Sequence, residues 1–275
     1  MRPRVMGIVN VTPDSFSDGG RWMDPAAAIE HGAALVRDGA DIVDVGGEST
    51  RPGSVRPTES EELERVLPVV ADLSARGVQV SIDTMRATVA EAAVEAGAII
   101  VNDVSGGLAD PDMLPFVAGA PATYVTMHWR GHGDSMQRRA SYDDVVTDVR
   151  RELDERVEAA LSAGVAPDRL VLDPGLGFAK TPEHNWQLMA HLDAFTDLPY
   201  RVLVGASRKT FLGRLGGRED PVPPEQRDAA SAATSLLCAQ AGVWCVRVHD
   251  VPSTLAALQV HEAVAAAGGA AGEKP

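Results

Sequence analysis

The chain has 275 residues, 45% of them hydrophobic and 23% charged, with a formal net charge of −14. That composition fits a soluble globular protein, and the length allows one large α/β domain or two smaller ones. The acidic balance argues against a basic nucleic-acid stripe, although locally clustered cations can still hold a small anion.

Taken in chain order, β-branched runs alternate with Ala-rich helical stretches. A strand over Val5–Asn10 ends on Asn10, and a helix is predicted over Pro25–Asp38. The strand Asp41–Gly46 carries Asp44, and the helix Glu59–Arg76 leads to a strand, Gln79–Asp83, that runs into the carboxylate of Asp83. After a helix over Arg86–Ala96, the strand Ile99–Val104 carries Asn102 and Asp103. Helix Pro111–Ala118, strand Ala122–His128, helix Tyr142–Ala163 and strand Arg169–Asp173 follow. The remaining elements are helix Pro182–Leu192, strand Tyr200–Gly205, helix Arg227–Ala241, strand Val243–His249 and helix Pro252–Ala267. Glycines in DGAD, RGVQ, AGAI and AGVW stand where helix C-caps belong.

Eight strand–helix units predict an α/β fold, a single-domain (β/α)8 TIM barrel over residues 1–267, with 268–275 a disordered tail. A doubly wound sheet would place G-x-G-x-x-G after its first strand, and VNVTPDSFSDGG lacks that spacing. A buried charge needs a partner or a hydrogen-bonding network. In a barrel the carboxyl ends of all the strands open on one face, so the many polar strand ends meet there. A single such residue, Asp83 for instance, is equally explained as a cap for the next helix; several of them are not.

No apolar run is long enough to cross a bilayer, and MRPRVMGIVNVT has no signal-peptide core. Cys238 and Cys245 match no metal or redox spacing, so two buried free thiols in the cytoplasm are expected. The histidines show no zinc-ligand pattern.

The segments VMGIVNVTPDSFSDGG, DIVDVGGESTRPGS, SIDTMR, IVNDVSGG, LDPGLGFAK, VGASRKTFLG and VRVHDV, in that order, resemble the signatures of dihydropteroate synthase. MHWR and GFAK are similar to actinobacterial members. The resemblance implies a TIM-barrel transferase of folate biosynthesis. It would join p-aminobenzoate to 6-hydroxymethyl-7,8-dihydropterin pyrophosphate, giving 7,8-dihydropteroate and pyrophosphate. Two rival readings are a methyltetrahydrofolate:corrinoid methyltransferase, whose site has no pyrophosphate to hold, and a non-catalytic pterin-binding barrel.

By the same resemblance Asp83, Asn102 and Asp173 bind the pterin, with Lys209 on its carbonyl; Met127, ending the fifth strand, packs either on the ring face or in the core. Carboxylates and an amide suit a flat ring with adjacent donors and acceptors. Arg247 and His249 lie two apart in one strand and share a side. With Arg51 they are assigned to pyrophosphate, and the loops after strands seven and eight are a frequent phosphate site in this fold. An ion pair with an acidic neighbour is the plain alternative for Arg247, and a satisfied core imidazole is that for His249. Phe16, Thr50, Arg51, Pro52, Phe178 and Ser207 are implied for p-aminobenzoate, and Asn10 for Mg2+. A metal that keeps its waters and leans on phosphates needs few protein ligands.

The loops TPDSFSDGGRW and ESTRPGSVRPTE are long for βα connections and are expected to close over substrate. Asp18 on the first loop, with Asp83, would stabilise a pterin cation if pyrophosphate leaves before the amine attacks. Asp83, Lys209, Arg247, His249 and Asp18 form the expected catalytic set. Sulfonamide inhibition and a homodimer are the remaining expectations.

Overall fold

The computed structural model of the chain is a closed barrel of eight parallel strands, each paired with its neighbours in sequence order. The structure describes residues 2–12, 25–48, 56–132 and 136–270. Its elements are β1 (Arg4–Asn10), α1 (Pro25–Arg37), β2 (Ile42–Gly46), α2 (Glu59–Ala75), β3 (Val80–Asp83) and α3 (Ala87–Glu95). Next come β4 (Ile100–Asp103), α4 (Met113–Gly119), β5 (Thr123–Met127), α5 (Val145–Ala163), β6 (Leu170–Asp173) and α6 (Pro182–Ala190). The last five are α7 (Asp193–Thr196), β7 (Arg201–Val204), α8 (Asp228–Gln240), β8 (Cys245–Val248) and α9 (Val251–Ala270).

Local chemistry sets most of the boundaries. Thr58 and Glu61 form a reciprocal capping box at the start of α2. α5 starts three residues later than predicted because the Asp144 carboxylate accepts from the Thr147 N–H at 2.8 Å. Gly97 follows α3 at φ 111°, a left-handed turn that a Cβ would strain. α7 was not expected: its four residues are too few to show a helical period. α9 continues to Ala270, three residues into the segment predicted as a disordered tail, and residues 271–275 lie outside the described part.

Strand parity divides the side chains into two layers. Val5, Val9, Val43, Val45, Val80, Ile82, Val101, Tyr124, Leu170, Leu172, Val202, Val204, Val246 and Val248 face outward. There they pack against helix residues such as Val69 and Leu73 of α2, Leu153 of α5 and Leu188 of α6. The opposite parity fills the barrel with Met6, Ile42, Ile100, Val125, Val171, Leu203 and Cys245, one from each strand except β3. β3 places Ser81 in that row, paired in register with Asp44 and Ile100. Apart from Ser81, the middle layer of the barrel is apolar, and the inward positions turn polar toward the carboxyl ends of the strands.

Candidate active site

Two residues beyond the apolar layer, the inward positions are Ile8, Asp44, Asp83, Asn102, Met127, Asp173, Gly205 and Arg247, and two further along the first two strands come Asn10 and Gly46. Register places Asn10 beside Gly46, Gly46 beside Asp83, Asp83 beside Asn102, and Met127 beside Asp173. A Cβ on Gly46 would lie 3.4 Å from the Cβ of Asp83, and one on Gly205 would stand 3.8 Å from Arg247 and 4.0 Å from Asp173. Two strand ends without side chains thus leave space between the polar ones.

The three expected pterin contacts, Asp83, Asn102 and Asp173, come together on this rim. Arg247 lies among them as a bridge. Its Nε donates to Asp44 at 2.6 Å and its Nη2 to Asp83 at 2.7 Å, so the ion-pair alternative for this arginine is realised. Asn102 Nδ2 donates to the same Asp44 oxygen at 3.1 Å. Asp44 is wholly buried, and its other oxygen, Oδ1, has no hydrogen-bond partner among the described residues. This carboxylate was visible in its strand but received no role. It is the fixed point to which Arg247 and Asn102 are tied.

Burial pushes the Asp83 carboxyl up to about 7, against the opposing pull of Arg247. Burial also raises Asp173, while the Gly175 N–H, donating to its Oδ1 at 2.8 Å, works the other way. Lys209 is pushed down to about 8 by burial and by the nearby Arg247. Three carboxylates, Asp44, Asp83 and Asp173, thus face two cations, which favours a ligand offering N–H donors or positive charge.

The loops after β6 and β7 complete the site. Phe178 places its ring 4.0 Å from the Lys209 ammonium. Gly177, at φ 80°, lets the lysine stem pass where a Cβ would come within 2.9 Å of it. Met127 packs with Met85 and Val104, and Phe178 and Trp129 lie against them. Met85 and Val104 were not expected there; inside SIDTMR and IVNDV they read as helix-start and strand residues. Ser207 and His249, assigned to different substrates, are neighbours. Ser207 Oγ lies 3.0 Å from His249 Nδ1 and accepts from the His249 backbone N–H at 3.1 Å.

Two basic or acidic residues of the motifs turn away. Arg208, inside the SRK cluster, adopts φ 57° and donates to Asp228 at 2.7 and 2.8 Å, so only Lys209 of that pair serves the site. Asp103 has the outward parity and accepts from Ser105, Gly107 and Tyr124, shaping the loop after β4. Phe16, Asp18, Thr50, Arg51 and Pro52 lie outside the described residues.

Residues 6–249 match the pterin-binding enzyme family. Over 260 residues the chain is 54% identical to the dihydropteroate synthase of Mycobacterium leprae (strain TN), covering 94% of this chain and 92% of that one. The chain belongs to the dihydropteroate synthase family. It is also 41% identical over 266 residues to the Escherichia coli (strain K12) dihydropteroate synthase, covering 96% and 93%. A Xanthomonas albilineans dihydropteroate synthase solved with 4-aminobenzoic acid superposes with a TM-score of 0.89 at 49% identity, covering 96% of this chain and 94% of that one. The same organism's enzyme in complex with 7,8-dihydropteroate gives 0.85 at 47% identity, with the same coverage. The reaction is therefore the condensation of p-aminobenzoate with the dihydropterin pyrophosphate, a transferase step of folate biosynthesis. The named relatives are synthases, which favours this reading over the corrinoid methyltransferase and the non-catalytic barrel.

Proposed function

We propose that the condensation runs dissociatively and that the pterin sits among Asp83, Asn102 and Asp173. The observation that carries this reading is the excess of carboxylates over cations around the rim, together with Arg247 at its centre. The C–O bond to pyrophosphate breaks first, its electron pair leaving with the phosphate oxygen. Asp83, Asp44 and Asp173 stabilise the resulting pterin cation. The amine lone pair of p-aminobenzoate then forms the C–N bond, and the nitrogen releases a proton to solvent.

Catalysis in this scheme is placement and electrostatics. Arg247 commits two of its five N–H donors to Asp44 and Asp83, leaving three for the leaving group. Lys209 and His249 complete the anion site, and Ser207 and Phe178 border p-aminobenzoate. Burial raises both thiols, Cys238 to about 12, which leaves neither as a nucleophile.

Asn10 fits Mg2+ in one respect: its amide ends β1 and makes no hydrogen bond to another described residue. The described residues include no group of three or more His, Cys, Asp or Glu able to hold a metal ion alone. Asn10 would therefore hold an ion that arrives with the substrate phosphates. Bound there, Mg2+ would neutralise charge on the leaving pyrophosphate.

The test is pyrophosphate release from purified protein with the pterin pyrophosphate and Mg2+. With p-aminobenzoate, dihydropteroate should form, and a sulfonamide should inhibit competitively with p-aminobenzoate. Without it, an 18O label at the bridging oxygen should scramble into the pyrophosphate, because ionisation precedes attack. No scrambling would favour a concerted displacement.

We also propose a homodimer in the cytoplasm. Leu237 on α8 and Val260 and Val264 on the adjacent α9 are exposed apolar side chains that a second copy would cover. No helix among the described residues is long and apolar enough to cross a membrane. Sedimentation at twice the chain mass is expected, reverting toward the monomer when Val260 and Val264 are both replaced by glutamate.

A further inference from the structure

Beside the cleft, but turned away from it, lies a buried polar cluster that the chemistry above does not use. Lys180 follows Phe178 by two residues, and its ammonium is buried. It donates to the carbonyls of Gly175 at 3.0 Å and Phe178 at 3.1 Å, and lies 2.9 Å from His128 Nδ1. His128 follows β5, and its backbone N–H donates to the Asp173 carbonyl at 3.0 Å. Its other ring nitrogen, Nε2, is 2.9 Å from Glu152 on α5, which Arg130 also grips.

With Lys180 as an ammonium, which can only donate, His128 Nδ1 accepts and Nε2–H donates to Glu152. Burial pushes His128 down to about 4, in keeping with a neutral ring, and Lys180 down to about 7. The chain between these contacts is strained: Ala179 has φ 48°, a conformation that non-glycine residues rarely adopt. Such conformations persist where surrounding contacts over-determine them. Here the Ala179 carbonyl accepts from the Tyr142 hydroxyl at 2.9 Å, and the carbonyl before it accepts from Lys180. The left-handed turn sends Phe178 toward Lys209 while Lys180 runs into the cluster.

We propose that Lys180 is a positioning residue, braced by His128 and Glu152, that holds the 175–180 turn so that Phe178 is presented to Lys209 and to p-aminobenzoate. Tyr142 supports the same turn from the other side. The inference rests on the placement of Phe178 in the substrate pocket proposed above.

The experiment measures kcat, KM for p-aminobenzoate and thermal unfolding for Phe178→Ala, Lys180→Met and Tyr142→Phe. If the tether acts as stated, Phe178→Ala and Lys180→Met each raise KM by about tenfold, with kcat changing much less. Tyr142→Phe, which removes one hydroxyl and keeps the ring, raises KM about threefold at a nearly unchanged melting temperature. A purely structural role for Lys180 would lower the melting temperature without moving KM in the folded protein. A raised KM in Phe178→Ala alone therefore overturns the tether, and Tyr142→Phe decides the matter if Lys180→Met does not fold. An unchanged KM in Phe178→Ala overturns the pocket assignment, and the tether with it.

Discussion

Replacing Arg247 by alanine is expected to lower kcat/KM by about 10²–10³-fold, the usual cost of removing one charge-stabilising donor from an active site. The same change should destabilise the fold by about 3–5 kcal/mol, because among the described residues it leaves the buried Asp44 carboxylate with Asn102 alone as a partner. Arg247→Lys separates the two roles. It keeps a positive charge but cannot reach Asp44 and Asp83 through separate nitrogens of a planar fork. It should therefore recover part of the stability and little of the activity. Pyrophosphate release and urea unfolding on both variants give the answer. Near-normal turnover in Arg247→Ala would reduce the arginine to a structural ion pair and move the leaving-group site elsewhere.

A bell-shaped pH profile of kcat/KM is the second large effect. Asp83, pushed up to about 7 by burial, accepts a pair of ring N–H donors with full charge assistance only when ionised, so the rate should fall as pH drops through that value. Lys209, pushed down to about 8, loses its charge on the other side, so the rate should also fall as pH climbs past it. Asp83→Asn keeps the volume and removes the acid limb. It should lower the plateau by about 10- to 100-fold, the loss of a hydrogen bond to a charged group. Stability carries the same signature. Between the ordinary carboxylate value of 3.8 and about 7 the folded protein binds more protons at Asp83 than the unfolded chain. Its contribution is therefore full below that window and declines as pH rises through it, and Asp83→Asn should flatten the decline. An acid limb that survives in Asp83→Asn would assign the titration to another group.

Most of this architecture was legible in the sequence, because a β-strand repeats every two residues and each run of branched side chains broke off at a polar group. Asp83, Asn102 and Asp173 each stand at the inward parity of a strand end, so counting along the strand was enough to place them on one face. Gly97, where AGAI announced a helix stop, was equally plain. Local capping explains why: such signals depend only on neighbours a few residues away.

Closure of the barrel decided the rest. Asp44 and Arg247 are separated by 203 residues and meet only because β8 returns to β1 and β1 pairs with β2. Asn102 and Asp103 are adjacent and chemically alike, yet strand parity aims one at the cleft and the other at a loop. Arg208 and Ala179 take left-handed turns that no side-chain preference announces, and these turns decide which neighbour reaches the site. The His128–Glu152–Lys180 cluster draws on three separate elements, each of whose residues alone reads as ordinary. Sequence by itself determined the strands, every helix but the four-residue α7, and the residue types at the rim, since those follow from short-range periodicity. Only the tertiary structure decided which charges pair, because a low-dielectric interior makes every buried charge answer to whichever partner closure brings within reach.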